Sequence, residues 1–124
     1  MEFKSTKIKS FTDLCAWQEG HKLVIMLYTI TKDFPKEEIF GLVSQMRRSA
    51  VSITSNIAEG FSGNTIKDKI QFYCIAQGSL TELQSQLFIA KDLGYLSGED
   101  FDKISKQTIV VHKLITGLKK IGLK

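Results

Sequence analysis

The groups in this chain best able to carry chemistry are few and poorly partnered. The two histidines, His21 and His112, stand far apart. Neither has the Glu-x-x-His or His-x-x-x-His spacing that places two ligands on one helix face. His21 falls on an apolar helical stripe, where an imidazole packs in a core or an interface more readily than it binds a metal. The two cysteines, Cys15 and Cys74, have no CxxC spacing and cannot form a disulfide framework. Cys74 borders an apolar stripe, and both read as small packed thiols rather than nucleophiles. Gly60-Phe61-Ser62-Gly63 lacks the preceding strand and the following lysine of a phosphate-binding loop. The expectation is a non-enzyme with no catalytic residue, metal ligand, cofactor or small-molecule substrate.

Two polar patterns are more informative. Gln45, Arg48, Ser52, Asn56 and Glu59 recur at steps of three, four, four and three, which is one face of a helix opposite the apolar stripe of the same segment. Arg47 and Arg48 are the only arginines, against fifteen lysines. A planar guanidinium suits fixed pairing with a carboxylate or phosphate, whereas lysine satisfies a generic wet surface. Further along, Ser79, Glu82 and Gln86 make a facing strip flanked by the small residues Ala76 and Gly78. The spacing predicts that Arg48 pairs with Glu82 or Glu59 and that Ser52 and Asn56 complete a structural network, within a subunit or between subunits. A solvated face with local pairs such as Arg48 to Ser52 is the alternative.

The second pattern is a lysine stripe, Lys103, Lys106, Lys113 and Lys120, with Val110 and Gly117 in the intervening slots. Either it is a solvated face or it is a rail of charge following a phosphate backbone. Lys4, Lys7 and Lys9 extend such a rail, and Phe3 and Phe11 offer aromatic contacts. With no arginine fork aimed at base edges, binding of this kind is weakly sequence-specific.

The elements that must position these groups are helices. A 124-residue chain with 43% hydrophobic and 24% charged residues fits one domain, 1–124, with enough apolar surface for its own core. It has one proline, Pro35. No run approaches a membrane span, and the first residues lack the apolar stretch of a signal peptide, so the chain reads as cytoplasmic. Its net charge of +4 permits an anionic partner without demanding one.

Residues 1–10 read as an extended or flexible arm. A hydroxyl-to-acid box at Ser10-Phe11-Thr12-Asp13 opens the first helix, which ends at Phe34-Pro35. That helix carries two apolar stripes: Trp17, His21, Val24 and Tyr28, and Ala16, Leu23, Leu27 and Ile30. Two stripes imply burial against more than one neighbour.

Glu37 and Glu38 favour the start of a second helix, expected to kink at Gly41 and to be capped by Gly60, with Val43, Met46, Ala50, Ile53 and Ile57 as its core. Thr65 opens a third helix, lined by Phe72, Ala76, Leu80, Leu83, Leu87 and Ala90 and capped by Gly94. Ser97 opens a fourth, lined by Phe101, Ile104, Thr108, Val111, Ile115 and Leu118. Short connections then give an all-α, antiparallel up-down-up-down four-helix bundle.

Gln45-Met46-Arg47-Arg48-Ser49-Ala50-Val51-Ser52-Ile53, followed by Asn56-Ile57-Ala58-Glu59-Gly60, closely resembles the signature of a bacterial four-helix-bundle family. That family was first named for proteins encoded in intervening sequences of large-subunit ribosomal RNA genes. Ala76-Gln77-Gly78-Ser79-Leu80-Thr81-Glu82-Leu83 resembles its second motif. Leu14, Trp17 and Phe34-Pro35 fit its opening helix and first turn, and Leu93-Gly94-Tyr95-Leu96 its last turn. The resemblance implies a four-helix bundle assembled as a ring-shaped homopentamer. A related branch, the accessory variability determinant of diversity-generating retroelements, is similar in architecture and works as a basic pentamer binding a reverse transcriptase and nucleic acid. Two functions are therefore expected: a homo-oligomeric scaffold binding RNA or a nucleic-acid-binding protein, or a protein-interaction module without nucleic-acid contact.

Overall fold

The computed structural model describes residues 7–122; most of the expected arm, including Phe3 and Lys4, lies outside them. Helices begin where a side chain can occupy the free amides of a first turn. Ser10 makes the expected box, its hydroxyl accepting from the Thr12 amide at 3.2 Å while Asp13 accepts from the Ser10 amide at 3.1 Å. The box closes only a 3-10 turn, Phe11–Asp13. Leu14 is extended, so helix α1 starts afresh at Cys15 and runs to Thr31.

After Pro35 comes a second 3-10 turn, Lys36–Glu38. Gly41 then breaks the chain outright instead of kinking a helix, and α2 spans Leu42–Ser62. Glu38 serves it from outside, its carboxylate accepting from the Leu42 amide at 3.1 Å. Gly60 lies within α2 and the cap falls at Gly63. Helix α3 spans Ile66–Asp92, with the Thr65 hydroxyl accepting from the Asp68 amide at 3.0 Å. It stops at Gly94, whose φ of 79° is left-handed backbone that glycine adopts without strain. Helix α4 spans Gly98–Gly122, and Ser97 accepts from the Asp100 amide at 3.1 Å. No described helix is long and apolar enough to cross a membrane.

Helix α1 packs on α2 and α4, and α3 packs on the same two, which makes a square bundle. Partners climb one helix as they descend the next. Arg48 meets Glu82 and Ser52 meets Ser79 across α2 and α3. Gln84 meets Thr108 and Gln77 meets Thr116 across α3 and α4. These two pairs are thus antiparallel, and so are α1 and α2, where Thr31 lies at Arg47 and Gly20 at Thr54. The core is built from the expected stripes of α2, α3 and α4, joined by Ala16, Leu23 and Leu27 of α1. Phe72 and Leu118 are only half-buried, and Tyr73 takes the core place beside Phe72.

The Trp17–Tyr28 stripe of α1 is not core. Trp17 and Val24 are half-buried, while His21 and Tyr28 are exposed. His21 is therefore not a core histidine; it stacks on the Trp17 ring at 4.9 Å, and Phe11 meets the same ring edge-on at 5.3 Å. Cys15 and Cys74 are both exposed, so neither is the packed thiol expected. Each lies on its helix one position beyond the edge of a buried stripe.

Between α1 and α4, Gln107 donates to the Glu19 carboxylate at 3.0 Å and to its carbonyl at 2.8 Å. This bond, helped by Lys22 against a desolvation penalty, holds the Glu19 carboxyl below its ordinary range. A carboxyl depressed on folding adds stability above the unfolded carboxylate range, and that stability fades as pH falls through the folded value. Gln107→Ala is expected to move the Glu19 titration upward in an NMR pH series, and an unmoved titration would contradict the contact.

A Cβ on Gly60 would collide with the ring of Tyr73, whereas one on Gly78 meets nothing within 4 Å. Gly60→Ala is expected to cost about 1–3 kcal/mol through overpacking. Gly78→Ala, in an open helix interior, should gain about 0.5–1 kcal/mol. Urea unfolding of the two variants measures both, and effects of the same sign would contradict this packing.

Candidate functional site

The polar strip of α2 meets that of α3 along the seam between the two helices. Arg48 donates to Glu82 at 2.8 Å and to Gln45 at 3.0 Å, and Gln86 donates to the same Glu82 carboxylate at 3.3 Å. One turn or so further along, the Ser52 and Ser79 hydroxyls bond at 2.8 Å. Asn56 donates to the Ser52 carbonyl at 2.8 Å and to its hydroxyl at 3.1 Å. Of the two acids open to Arg48, the seam selects Glu82. Glu59 is exposed and takes no part.

Two details of the strip differ from the sequence reading. Gly78 faces open space, so its small size does not serve the approach of α2; Ala76, fully buried, does. The ion pair itself is wet, with Arg48 59% and Glu82 43% exposed in their side chains. The buried parts of the seam are the neutral ones, Ser49 and Gln86. The seam is a ladder of fixed hydrogen bonds that holds two helices in register. It presents no nucleophile beside a base, and among the described residues no group of side chains can hold a metal ion.

The lysines of α4 occupy its outer side. Lys103, Lys106, Lys113 and Lys120 are all exposed, and none makes a salt bridge among the described residues. Lys106, Lys113 and Lys120 follow one another at heptad spacing and stay nearly in line. Lys103 departs from that row. It stands about 60° round the helix, at 100° per residue, and lines the groove between α4 and α1. Glu99 and Asp100 lie in the first turn, where acids favour a helix N-terminus. Residues 103–124 contain no acid at all. Of the N-terminal lysines, Lys7 and Lys9 are exposed near the start of α1, while Lys4 lies outside the described residues.

Three cations hold structural posts that the sequence reading did not assign. Arg47 donates to the Thr31 hydroxyl at 3.0 Å and lies 4.4 Å above the Tyr28 ring, tying α2 to the end of α1. Lys69 donates to the Phe61 carbonyl at 2.6 Å and to the Gly60 carbonyl at 3.3 Å, covering the open end of α2. Lys119 donates to Gln77 at 2.7 Å between α3 and α4. Each donates to a neutral oxygen, a hydroxyl, a carbonyl or an amide, and no charge pattern along the chain marks such contacts.

An exposed pair of this kind is worth about 0.2–1 kcal/mol. A double-mutant cycle of Arg48→Ala and Glu82→Ala, read by thermal or urea unfolding, is expected to give a coupling in that range, weakening as salt rises. A coupling above about 3 kcal/mol, the scale of a buried pair, would contradict the wet geometry.

Comparison with known proteins bears on the whole chain. No curated protein matches it. Among solved structures it is similar to a protein of unknown function from the S23 ribosomal protein family of Bacteroides thetaiotaomicron. The two share 22% sequence identity at a TM-score of 0.78, over 85% of this chain and 95% of that one; the likeness is one of fold. Residues 12–117 match the family described as 23S rRNA-intervening sequence protein, a span that holds all four helix cores, the α2–α3 seam and most of the α4 lysine row. The chain belongs to the 23S rRNA-intervening sequence protein family.

Proposed function

We propose that this protein is a non-enzymatic scaffold: a homo-oligomer that binds RNA, or a nucleoprotein, through its basic outer surface. The observation that carries the reading is the row Lys106, Lys113 and Lys120, exposed, aligned and without an ion pair among the described residues, on an acid-free stretch of α4. Lysines held by neighbouring acids would be spent on the fold; these are available to phosphates. Lys103 extends the row toward α1, with Lys7 and Lys9 as further cations.

Assembly matters because one chain carries only +4. The number five comes from the family resemblance. Five such chains carry about +20, a field that attracts polyanions over more than one contact. Support for assembly in the chain itself is the apolar surface left outside the core, including Ile25, Ile39 and Phe40. The second reading, a protein-interaction module without RNA, draws on the same apolar surface and leaves the lysines solvated.

The test is RNA binding by the triple variant Lys106→Gln, Lys113→Gln and Lys120→Gln, with Lys103 left intact because it lines a groove. Binding is expected to be lost on every RNA sequence while the oligomer persists, since none of the three touches the core. Each single change should lower the slope of log affinity against log salt by about 0.7–0.9. Binding that survives the triple change would end the rail. A wild type that binds no RNA at low salt would leave the interaction module.

A further inference from the structure

Phe40 is 96% exposed, which is an unusual place for a large aromatic ring outside an interface. Its neighbour Ile39 is half exposed. Neither is on a slack loop. On one side Glu38 is fixed twice, accepting from the Tyr95 hydroxyl at 3.0 Å and from the Leu42 amide at 3.1 Å. On the other, the Gly41 amide donates to the Glu38 carbonyl at 3.1 Å, and α2 starts at once. The ring is held out on a braced corner, at the mouth of the hollow between α1 and α2. An aromatic presented rigidly loses little freedom on docking, and such residues anchor interfaces.

The same chain carries a receptacle. Between α1 and α4 lies a groove of about 590 Å3 with Ile25, Met26, Ile30 and Ile104 in its lining, roomy enough for a phenyl ring and a branched aliphatic chain. Charges of both signs rim it: Lys22 and Lys103, and Asp33 and Asp100. The residues preceding Phe40 also carry both signs, Lys36 and Glu37, each exposed. Phe40 follows the end of α1, and the groove runs along that helix from Gln18 to Asp33, so its Ile30 end lies at the same end of the bundle as the knob. They open on adjacent faces of a square bundle, the α1–α2 face and the α1–α4 face. A projection and a hollow on different faces make a head-to-tail contact, which builds a ring when the rotation between copies closes.

We propose that Phe40 of one copy seats in the α1–α4 groove of a second copy, with Lys36 and Glu37 pairing against its charged rim. This rests on the homo-oligomeric reading above and names its interface.

Phe40→Ser and Ile25→Asp test it, since both positions are exposed and neither side chain builds the core. Sedimentation equilibrium of the wild type and each variant is measured at the same micromolar concentration, with circular dichroism confirming the helices. The wild type is expected to be a multiple of the 14.0 kDa chain, and each variant a helical monomer. Mixed together, the two variants should form a species of twice the chain mass, because the intact Phe40 of one meets the intact groove of the other. A folded variant that keeps the wild-type mass, or a mixture that stays monomeric, overturns the proposed contact while leaving a homo-oligomer standing. A monomeric wild type overturns both.

Discussion

Gly60 lies beneath the ring of Tyr73, and that contact sets the register of α2 on α3. A turn of slippage toward the start of α2 would bring Asn56 or Ile57 against the ring, and slippage either way would separate the Ser52 and Ser79 hydroxyls that bond at 2.8 Å. With α3 placed, Gln77 and Gln84 face Thr116 and Thr108, so α4 is held in one rotation. That rotation turns Ile104, Thr108, Val111 and Ile115 inward and Lys106, Lys113 and Lys120 outward. The basic row is thus a consequence of packing two helices away from it. Interiors packed to this density do not deform by small amounts, which is why one small residue can decide the orientation of a distant face.

The helical bundle was legible in the chain because burial follows a period of three and four, and caps follow hydroxyls and acids at fixed offsets. What escaped were features decided by three-dimensional neighbours. Ser10 carries every mark of a helix start, yet Leu14 turns extended and the box closes a single turn. Gly60 looks like a stop, but its missing side chain serves Tyr73, thirteen residues on. Arg48 had two acids within reach by spacing, and only the placement of α3 favours Glu82. Whether that pair is wet or dry depends on how far the side chains stand above the seam, which periodicity does not encode. Phe40 carries no signal in the sequence, because a lone aromatic in a turn has no period.

Family membership and the fold agree with one another, and both leave the chemistry to the surface. The α2–α3 seam concentrates the residues that carry the family resemblance, and its geometry is that of a fastening. Two exposed surfaces carry the proposals, the α4 row and the apolar corner at Phe40. They differ in kind: one is charged and long, the other apolar and compact. The proposed scaffold draws on both, one for contact between copies and the other for a field presented to RNA.

The most direct measurement of the central claim is the affinity of the wild-type protein for RNA between 50 and 200 mM salt. A row of three lysines on a single-stranded backbone implies a fall of about 20-fold over that range through counterion release. Affinity flat in salt, or no binding at the lowest concentration, would contradict the account.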